Sequence, residues 1–303
     1  MVRILATRFP VADPAALRPF YTDTLGLPLL DERAERFSVQ AGATRLTFVA
    51  APGLSAVHHF AFNIPRDALP AAKAWLAARV PLLTQDGADE FDSVSWRSHQ
   101  IYFRDPAGNI LELIARQALP AAGAAPFGPA QFLSVGEVGL PVGAVPATVA
   151  ALGRDIALPP YPGGGDTFAP VGDAEGLLIV VQAGRHWFPT ADAATVAPIA
   201  VTLAGDRARD YALPGTPHTL TITNDECGEG GQKYRGGGCE RDEGRGRASI
   251  SVNTATEDGL EGVRHLLVMT VHPIYRREVM ASASRLLAGR YGPLVLVWGG
   301  RST

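Results

Sequence analysis

Two stretches of sequence decide the fold: HHFAFNIP at residues 58–65 and IYFRDPAGNILEL at residues 101–113. In the first stretch, large apolar residues alternate with smaller or polar ones, which is typical of a strand that buries one face. The second stretch holds two strand-like runs joined by Asp-Pro-Ala-Gly, whose residues suit a type I turn. We therefore expect a strand to begin near His59 and a hairpin to carry Glu112.

The sequence around these stretches repeats one plan of a strand, a helix and short strands. Three segments each read as a strand followed by a helix: residues 4–30, 57–83 and 132–159. Asp13 and Asp67 are predicted to cap the first two helices, because a carboxylate accepts hydrogen bonds from free helix N–H groups. Gly26 is predicted to end the first helix. Short candidate strands follow over residues 29–32, 36–40, 44–49, 82–85, 99–104, 110–115, 167–170, 177–182, 199–203 and 219–223.

The repeats predict an α+β fold in which paired βαβββ modules form an open, curled, barrel-like cleft. Modules at 1–54 and 55–116 are expected to set their sheets side by side. The Ala/Pro/Gly-rich segment 117–131 reads as a linker, and 132–223 as a degenerate third module. Residues 224–303 open with a glycine-rich segment and have no role that the sequence reveals. Their tail reads as a short β-α-β element over 266–271, 275–288 and 294–298.

Composition excludes several classes of protein. The chain has 303 residues, 47% of them hydrophobic, and a net charge of −3, which indicates neither a nucleic-acid surface nor an anionic membrane surface. Cys227 and Cys239 lie 12 residues apart without a Cys-x-x-Cys motif, so neither a zinc site nor a disulfide framework is indicated. The N-terminus has no long apolar run. We expect a cytoplasmic protein whose partner is a small molecule.

The two stretches resemble the vicinal oxygen chelate superfamily, which includes glyoxalase I, extradiol ring-cleaving dioxygenases, and the fosfomycin and bleomycin resistance proteins. A His that opens the first strand of a module, and a Glu after Asp-Pro-x-Gly-Asn-x-x, resemble that family's metal-ligand positions. The resemblance covers residues 1–116 and part of 132–222. It implies that His59 and Glu112 are metal ligands. Because relatives often pair modules between two chains, it also implies a homodimer as one assembly.

Strand alternation agrees with this interpretation. Phe60 and Phe62 should face a helix, which leaves His59 on the open side of the sheet, and Glu112 should face away from its apolar neighbours. Imidazole and carboxylate ligands suit Fe(II), Mn(II), Zn(II) or Ni(II) better than Ca(II). A third ligand is needed, and the candidates are His58, His99, Glu137 and His186. We favour Glu137, because it lies at the position equivalent to His59 in the third repeat.

Two functions follow from the resemblance. The first is an enzyme in which a divalent metal chelates oxygens of a small substrate, as a lyase, isomerase or ring-cleaving dioxygenase, with Tyr102 placing a substrate oxygen. The second is a metal-free binding or sequestering protein of the bleomycin resistance type. Ala6 and Thr47 stand at the ligand positions of the first module, and neither binds metal, which favours the second function. We favour the enzyme because His59 and Glu112 are present.

Overall fold

The computed structural model describes residues 1–122, 126–224, 266–268 and 295–297. It divides into one unit over Met1–Gly231 and a second over Gln232–Thr303. Most of the glycine-rich segment, with Cys227 and Cys239, lies outside the described residues, as do the helix expected at 275–288 and part of the linker. In the second unit, strands β15 (Leu266–Val268) and β16 (Val295–Val297) pair in parallel.

The first unit contains fourteen strands and three helices among its described residues. In chain order they are β1 (Ile4–Val11), α1 (Pro14–Pro19), β2 (Leu29–Arg33), β3 (Arg36–Ala41), β4 (Thr44–Ala50), β5 (His59–Ile64), α2 (Leu69–Ala77), β6 (Phe91–Ser93), β7 (Ser98–Arg104), β8 (Ile110–Arg116), β9 (Ser134–Val142), α3 (Val145–Ile156), β10 (Phe168–Gly172), β11 (Leu177–Gln182), β12 (Ala200–Ala204), β13 (Arg209–Ala212) and β14 (Thr219–Thr223). A π-helical turn over Phe20–Thr24 extends α1.

The strands form two mixed sheets of seven. Sheet one has the order β13-β14-β12-β1-β4-β3-β2, and sheet two the order β10-β11-β9-β5-β8-β7-β6. In both, a central strand pairs in parallel with the last strand of its own module and antiparallel with a strand of another module. The α+β class and the paired βαβββ plan are therefore confirmed.

The fold differs from the expectation in one respect, which is that the first two modules do not share a sheet. The first module shares sheet one with β12–β14, and the second shares sheet two with β9–β11 of the third repeat, so the first two modules lie in different sheets. Consequently the strands of residues 132–223 divide between both sheets. Alternation of side chains shows which face of a strand is buried but does not specify its neighbouring strand, because either pairing buries the same face.

The first helix follows its sequence signals closely. The Asp13 carboxylate accepts hydrogen bonds from the N–H groups of Ala15 and Ala16, at 2.9 and 3.1 Å. The α-helix ends at Pro19, which lacks an N–H group to continue it, and the chain goes on as the π-helical turn. Gly26 then takes a φ of +68°, which favours glycine and stops the helix.

Two local predictions in the second module are wrong. Ala68, without a side-chain hydrogen bond, is the N-cap of α2, while Asp67 accepts a hydrogen bond from the N–H of Ala122. The short strand expected at 82–85 is absent from the described structure apart from isolated bridges of Leu82 with Phe103 and of Gln85 with Ala88, and β6 lies later, at Phe91–Ser93. The apolar residues Leu82 and Leu83 pack against hydrophobic clusters, whereas the edge strand that pairs with β7 is formed by Phe91–Ser93.

Aromatic side chains join the two sheets in a single core. The ring of Phe9 from sheet one stacks on Phe60 from sheet two, with centroids 4.8 Å apart, and Phe48 and Tyr21 continue this contact. One face of each central strand, β1 or β5, therefore packs in the common core, and the opposite face of the strand lies outside it. Among the described residues, no helix combines the length and apolar character needed to cross a membrane.

The division into units makes a prediction about truncation. A chain ending at Gly231 should remain soluble and unfold cooperatively, because both seven-stranded sheets and their shared core lie before that residue. Far-UV circular dichroism and urea unfolding would measure this. An insoluble truncated chain, or one that binds hydrophobic dyes without a cooperative transition, would show that the second unit completes the core.

Candidate metal and substrate site

The register of sheet two brings two carboxyl groups together. Ala61 in β5 pairs with Glu112 of β8 on one side and with Glu137 of β9 on the other. Side chains of paired residues point to the same face of a sheet, so both carboxyl groups flank the small Ala61 side chain. His59 lies two residues earlier on the same face of β5. Sheet pairing thus assembles three groups that are far apart in sequence.

These three side chains form one compact group. One ligand atom from each of His59, Glu112 and Glu137 lies within 4.8 Å of the others. The Nδ1 atom of His59 is 3.1 Å from the carbonyl oxygen of Ile110. Because a carbonyl can only accept, Nδ1 carries the proton, and the lone pair is on Nε2. Nε2 faces Glu112, with 3.7 Å between Nε2 and Oε2. This tautomer is the one that presents nitrogen to a metal.

The group is almost sealed from water. The exposed fractions of the His59, Glu112 and Glu137 side chains are 8%, 3% and 2%. Burial lowers the pKa of His59 to about 4, although its hydrogen bond to Ile110 opposes that shift, so the imidazole is neutral at physiological pH. Burial, and then the neighbouring Glu137, raise the pKa of Glu112 well above its usual range. Burial therefore favours the protonated form of Glu112.

Arg116 forms an ion pair with Glu137, so the electrostatic surroundings of Glu137 differ from those of Glu112. Its Nη2 group donates to the Glu137 carboxylate in a fully buried ion pair. Burial raises the pKa of Glu137 as well, but the Arg116 guanidinium opposes that shift. Of the two carboxyl groups, Glu137 is the one whose negative charge the Arg116 guanidinium stabilises directly. With Glu112 protonated, His59, Glu112, Glu137 and Arg116 together would carry no net charge.

Apolar and aromatic side chains wall the group. Trp187 is 3% exposed, and its ring centroid lies 5.1 Å from that of His59. Gly139 makes room for this ring, because a Cβ atom there would lie 2.6 Å from it. The remaining wall is an apolar cluster on this face of sheet two that contains Tyr102, Ile110, Leu177, Ile179, Val181, Trp187 and Ala194. Electrostatic interactions inside such a wall are stronger than in water.

Tyr102 belongs to the same face. It pairs with Glu112 in the register of β7 and β8, so the two side chains lie on the same face of the sheet. Burial, and then the nearby Glu112, raise its pKa well above the usual range, so the phenol keeps its proton. The structure therefore places all four site residues predicted from the sequence, His59, Glu112, Glu137 and Tyr102, on one face.

The other candidate ligands lie elsewhere. His58 is buried on the core side, where Nε2 donates to the Pro10 carbonyl at 2.7 Å. His99 is half exposed and pairs with Asp92 on the outer hairpin. His186 is exposed, in the segment that follows β11. Of the four candidates for a third ligand, only Glu137 joins His59 and Glu112.

Register also identifies the positions equivalent to this group. In the first module Arg8 pairs with Thr47, so Ala6 and Thr47 correspond to His59 and Glu112. In the third repeat Gly139, two residues after Glu137, pairs with Ile179. Ile179 thus fills the fourth position of the site with an apolar side chain.

Arg116 and Trp187 were missed by the sequence reasoning. Strand alternation carries a usable signal for Arg116, because residues 112, 114 and 116 share one face of β8. Trp187 had no such signal. It reaches the site from the irregular segment between β11 and β12, and only the tertiary fold places it there.

No protein-family model and no curated protein matches the chain. Similar solved structures include a candidate dioxygenase from Bacillus subtilis, with 17% identity, a TM-score of 0.48, and coverage of 75% of this chain and 86% of that one. A glyoxalase I variant from Zea mays has 15% identity and a TM-score of 0.46, covering 75% and 93%. A fosfomycin resistance protein variant from Listeria monocytogenes, in complex with Mn(II), has 16% identity and a TM-score of 0.31, covering 37% and 87%. The similarity to these solved structures is one of backbone fold.

Buried neutral histidines predict a specific acid sensitivity. Burial lowers the pKa of His58 to about 4, below the value of about 6.5 expected in the unfolded chain. The unfolded state therefore takes up the proton first as pH falls, and stability present above pH 6.5 is lost below it. Between pH 7.5 and 5, His58 should remove about 2 kcal/mol from the free energy of unfolding.

Urea unfolding of wild type and His58→Gln over this pH range measures that contribution. The stability advantage of the wild type over the variant should shrink as pH falls, and the comparison removes the opposing effect of Glu112 and Asp105, whose pKa values burial raises. His186→Gln, which removes an exposed histidine outside the core, is the matched control and should lower the free energy of unfolding less than His58→Gln does. A constant difference between wild type and His58→Gln would contradict the prediction.

Proposed function

We propose that this chain is an enzyme that binds a divalent metal ion through His59, Glu112 and Glu137 and acts on a small molecule whose oxygens reach that metal. The observation that carries the proposal is the approach of three ligand atoms to within 4.8 Å on one buried face. The orientation of His59 supports it, because the Ile110 carbonyl fixes the proton on Nδ1 and leaves Nε2 free.

The donor set fits a metal such as Mn(II), Fe(II), Zn(II) or Ni(II). A neutral imidazole and two carboxylates offer three ligands of the types that these ions bind. Arg116 occupies one oxygen of Glu137, which leaves the other oxygen as a ligand. Since Ile179 fills the fourth equivalent position, the remaining coordination positions fall to the substrate or to water. Open positions are what a catalytic metal requires.

The composition of the group favours a lyase or isomerase over a ring-cleaving dioxygenase. The group among the described residues contains one His and two carboxylates, whereas oxygen-activating iron is commonly held by two His and one carboxylate. When bound, the metal would act as a Lewis acid that stabilises negative charge on substrate oxygen. The chain's own residues would supply orientation and exclusion of water, with the protonated Tyr102 hydroxyl as a donor to a substrate oxygen.

A second function is favoured by a specific observation. Arg116 already supplies a cation to Glu137, and burial favours the uncharged form of Glu112, so the site does not need a metal to be neutral. This balance suits a metal-free protein that binds a small molecule against Trp187 and Tyr102. In that case His59 and Glu112 would be polar contacts for the ligand.

Metal stoichiometry separates the two functions. Full-length protein, loaded anaerobically with Mn(II), Fe(II), Zn(II) or Ni(II) and then desalted, should retain about one ion per chain when measured by inductively coupled plasma mass spectrometry. His59→Ala, Glu112→Gln and Glu137→Gln each remove one of three ligands, and each should weaken binding at least tenfold. Such losses are typical when a site already has few protein ligands.

The controls are His99→Ala and His186→Ala, which remove imidazoles outside the group and should leave the stoichiometry unchanged. Circular dichroism would establish that the site variants retain the native fold. Wild-type protein that retains none of the four ions would sink the enzyme proposal and leave metal-free binding in its place.

A further inference from the structure

Arg116 has hydrogen-bonding capacity that the described part of the chain does not use. Its side chain has an exposed fraction of 0%, and only Nη2 pairs with Glu137. The Nε and Nη1 atoms have no hydrogen-bond partner among the described residues. A buried guanidinium with unused N–H groups is destabilising, because those groups have lost water without gaining an acceptor. A ligand with acceptor oxygens would supply what is missing.

The unused donors belong to the face that carries the site. Arg116 and Glu112 lie on the same face of β8, four residues apart. Trp187, whose ring lies beside His59, has a donor, Nε1, with no partner among the described residues. The acceptor Asn63 Oδ1, on the same face, also has no partner in that part of the chain. Unpaired donors outnumber it and include a guanidinium, so the face is suited to an oxyanion.

The side chain of Trp96 covers Arg116. The Trp96 ring is 5.3 Å from the guanidinium carbon, and it offers a π face but no acceptor for the free N–H groups. Trp96 stands in the turn between β6 and β7 and is only half buried. Its Nε1 group donates to the Pro162 carbonyl at 2.8 Å, which joins this turn to the triple-glycine turn at 163–165.

The glycine turn allows this close approach. Gly163 has a φ of +90°, and a Cβ atom there would lie 3.2 Å from Trp96 Nε1. The ring of Trp96 also stacks on Phe168, with centroids 6.2 Å apart. Displacing the cover therefore requires the loss of one hydrogen bond at the surface and of aromatic contacts, while both strands that flank the turn remain paired.

We propose that Arg116 binds an oxyanion group of the substrate, a carboxylate or a phosphonate, and that Trp96 is the cover that moves to admit it. This inference rests on the proposed function, since the Glu137 partner of Arg116 belongs to the metal group. It assigns to the substrate a second feature, an anionic group beside the oxygens that meet the metal. Arg116 is thereby a specificity-determining residue.

Isothermal titration of full-length protein with benzoate, phenylphosphonate and the uncharged benzamide tests this assignment. At least one of the two anions should bind ten times more tightly than benzamide. Arg116→Lys keeps a cation for Glu137 but removes the guanidinium donors, and it should weaken anion binding at least tenfold while circular dichroism stays native. Arg36→Lys, a paired arginine in sheet one, is the matched control and should bind like wild type.

Stopped-flow measurements test the cover. Trp96→Phe keeps an aromatic ring but loses the hydrogen bond to Pro162, so the bound anion should associate several-fold faster. Equal affinities for benzoate, phenylphosphonate and benzamide, or unchanged anion affinity in a folded Arg116→Lys, would overturn the assignment. Metal stoichiometry measured on the same samples distinguishes the metal-dependent enzyme from anion binding by Arg116. Anion binding through Arg116 without metal would sink only the enzyme, and metal binding without anion selectivity would sink only this inference.

Discussion

Two carboxyl groups on either side of Ala61 impose the constraint on which the site depends. The register of three strands fixes Glu112 and Glu137 there, and burial denies both of them water. Two negative charges in such surroundings are unstable, so the group needs a proton, a guanidinium or a metal ion. Protonation of Glu112, together with the Arg116–Glu137 pair, would meet this need without a metal. A divalent ion would meet it by replacing the proton of Glu112 and sharing Glu137.

Sheet one shows that the fold itself does not require these charges. The positions there that correspond to His59 and Glu112 are Ala6 and Thr47, and the same register leads across β12 and β14 to Ala200 and Thr221. The described side chains at these four positions carry no charge, and that face of sheet one needs no buried arginine. The two sheets share a topology, whereas Glu112, Arg116 and Glu137 all lie in sheet two.

Much of this arrangement could be predicted from sequence because it depends on local periodicity. Alternation in residues 59–64 placed His59 opposite Phe60 and Phe62, and the aromatic residues do face the common core. The position of Glu137 followed from the repeat. The pairing of modules could not be predicted in this way, because alternation specifies faces and not neighbours. The prediction that Asp67 caps α2 was also wrong, because its carboxylate accepts a hydrogen bond from the distant N–H of Ala122.

Two small residues, Gly139 and Ala61, leave space at the site at a cost to strand stability and core packing. Gly139 lies in the middle of β9, where glycine weakens a strand and a β-branched residue would pack better. Any side chain there would displace Trp187 from its contact with His59. Ala61 likewise leaves space between two carboxyl groups that a larger apolar residue would fill. A core selected only for stability would replace the buried Arg116–Glu137 pair with apolar side chains, which is often neutral or stabilising. The retention of charge and space on the same face of sheet two is therefore better explained by binding than by folding.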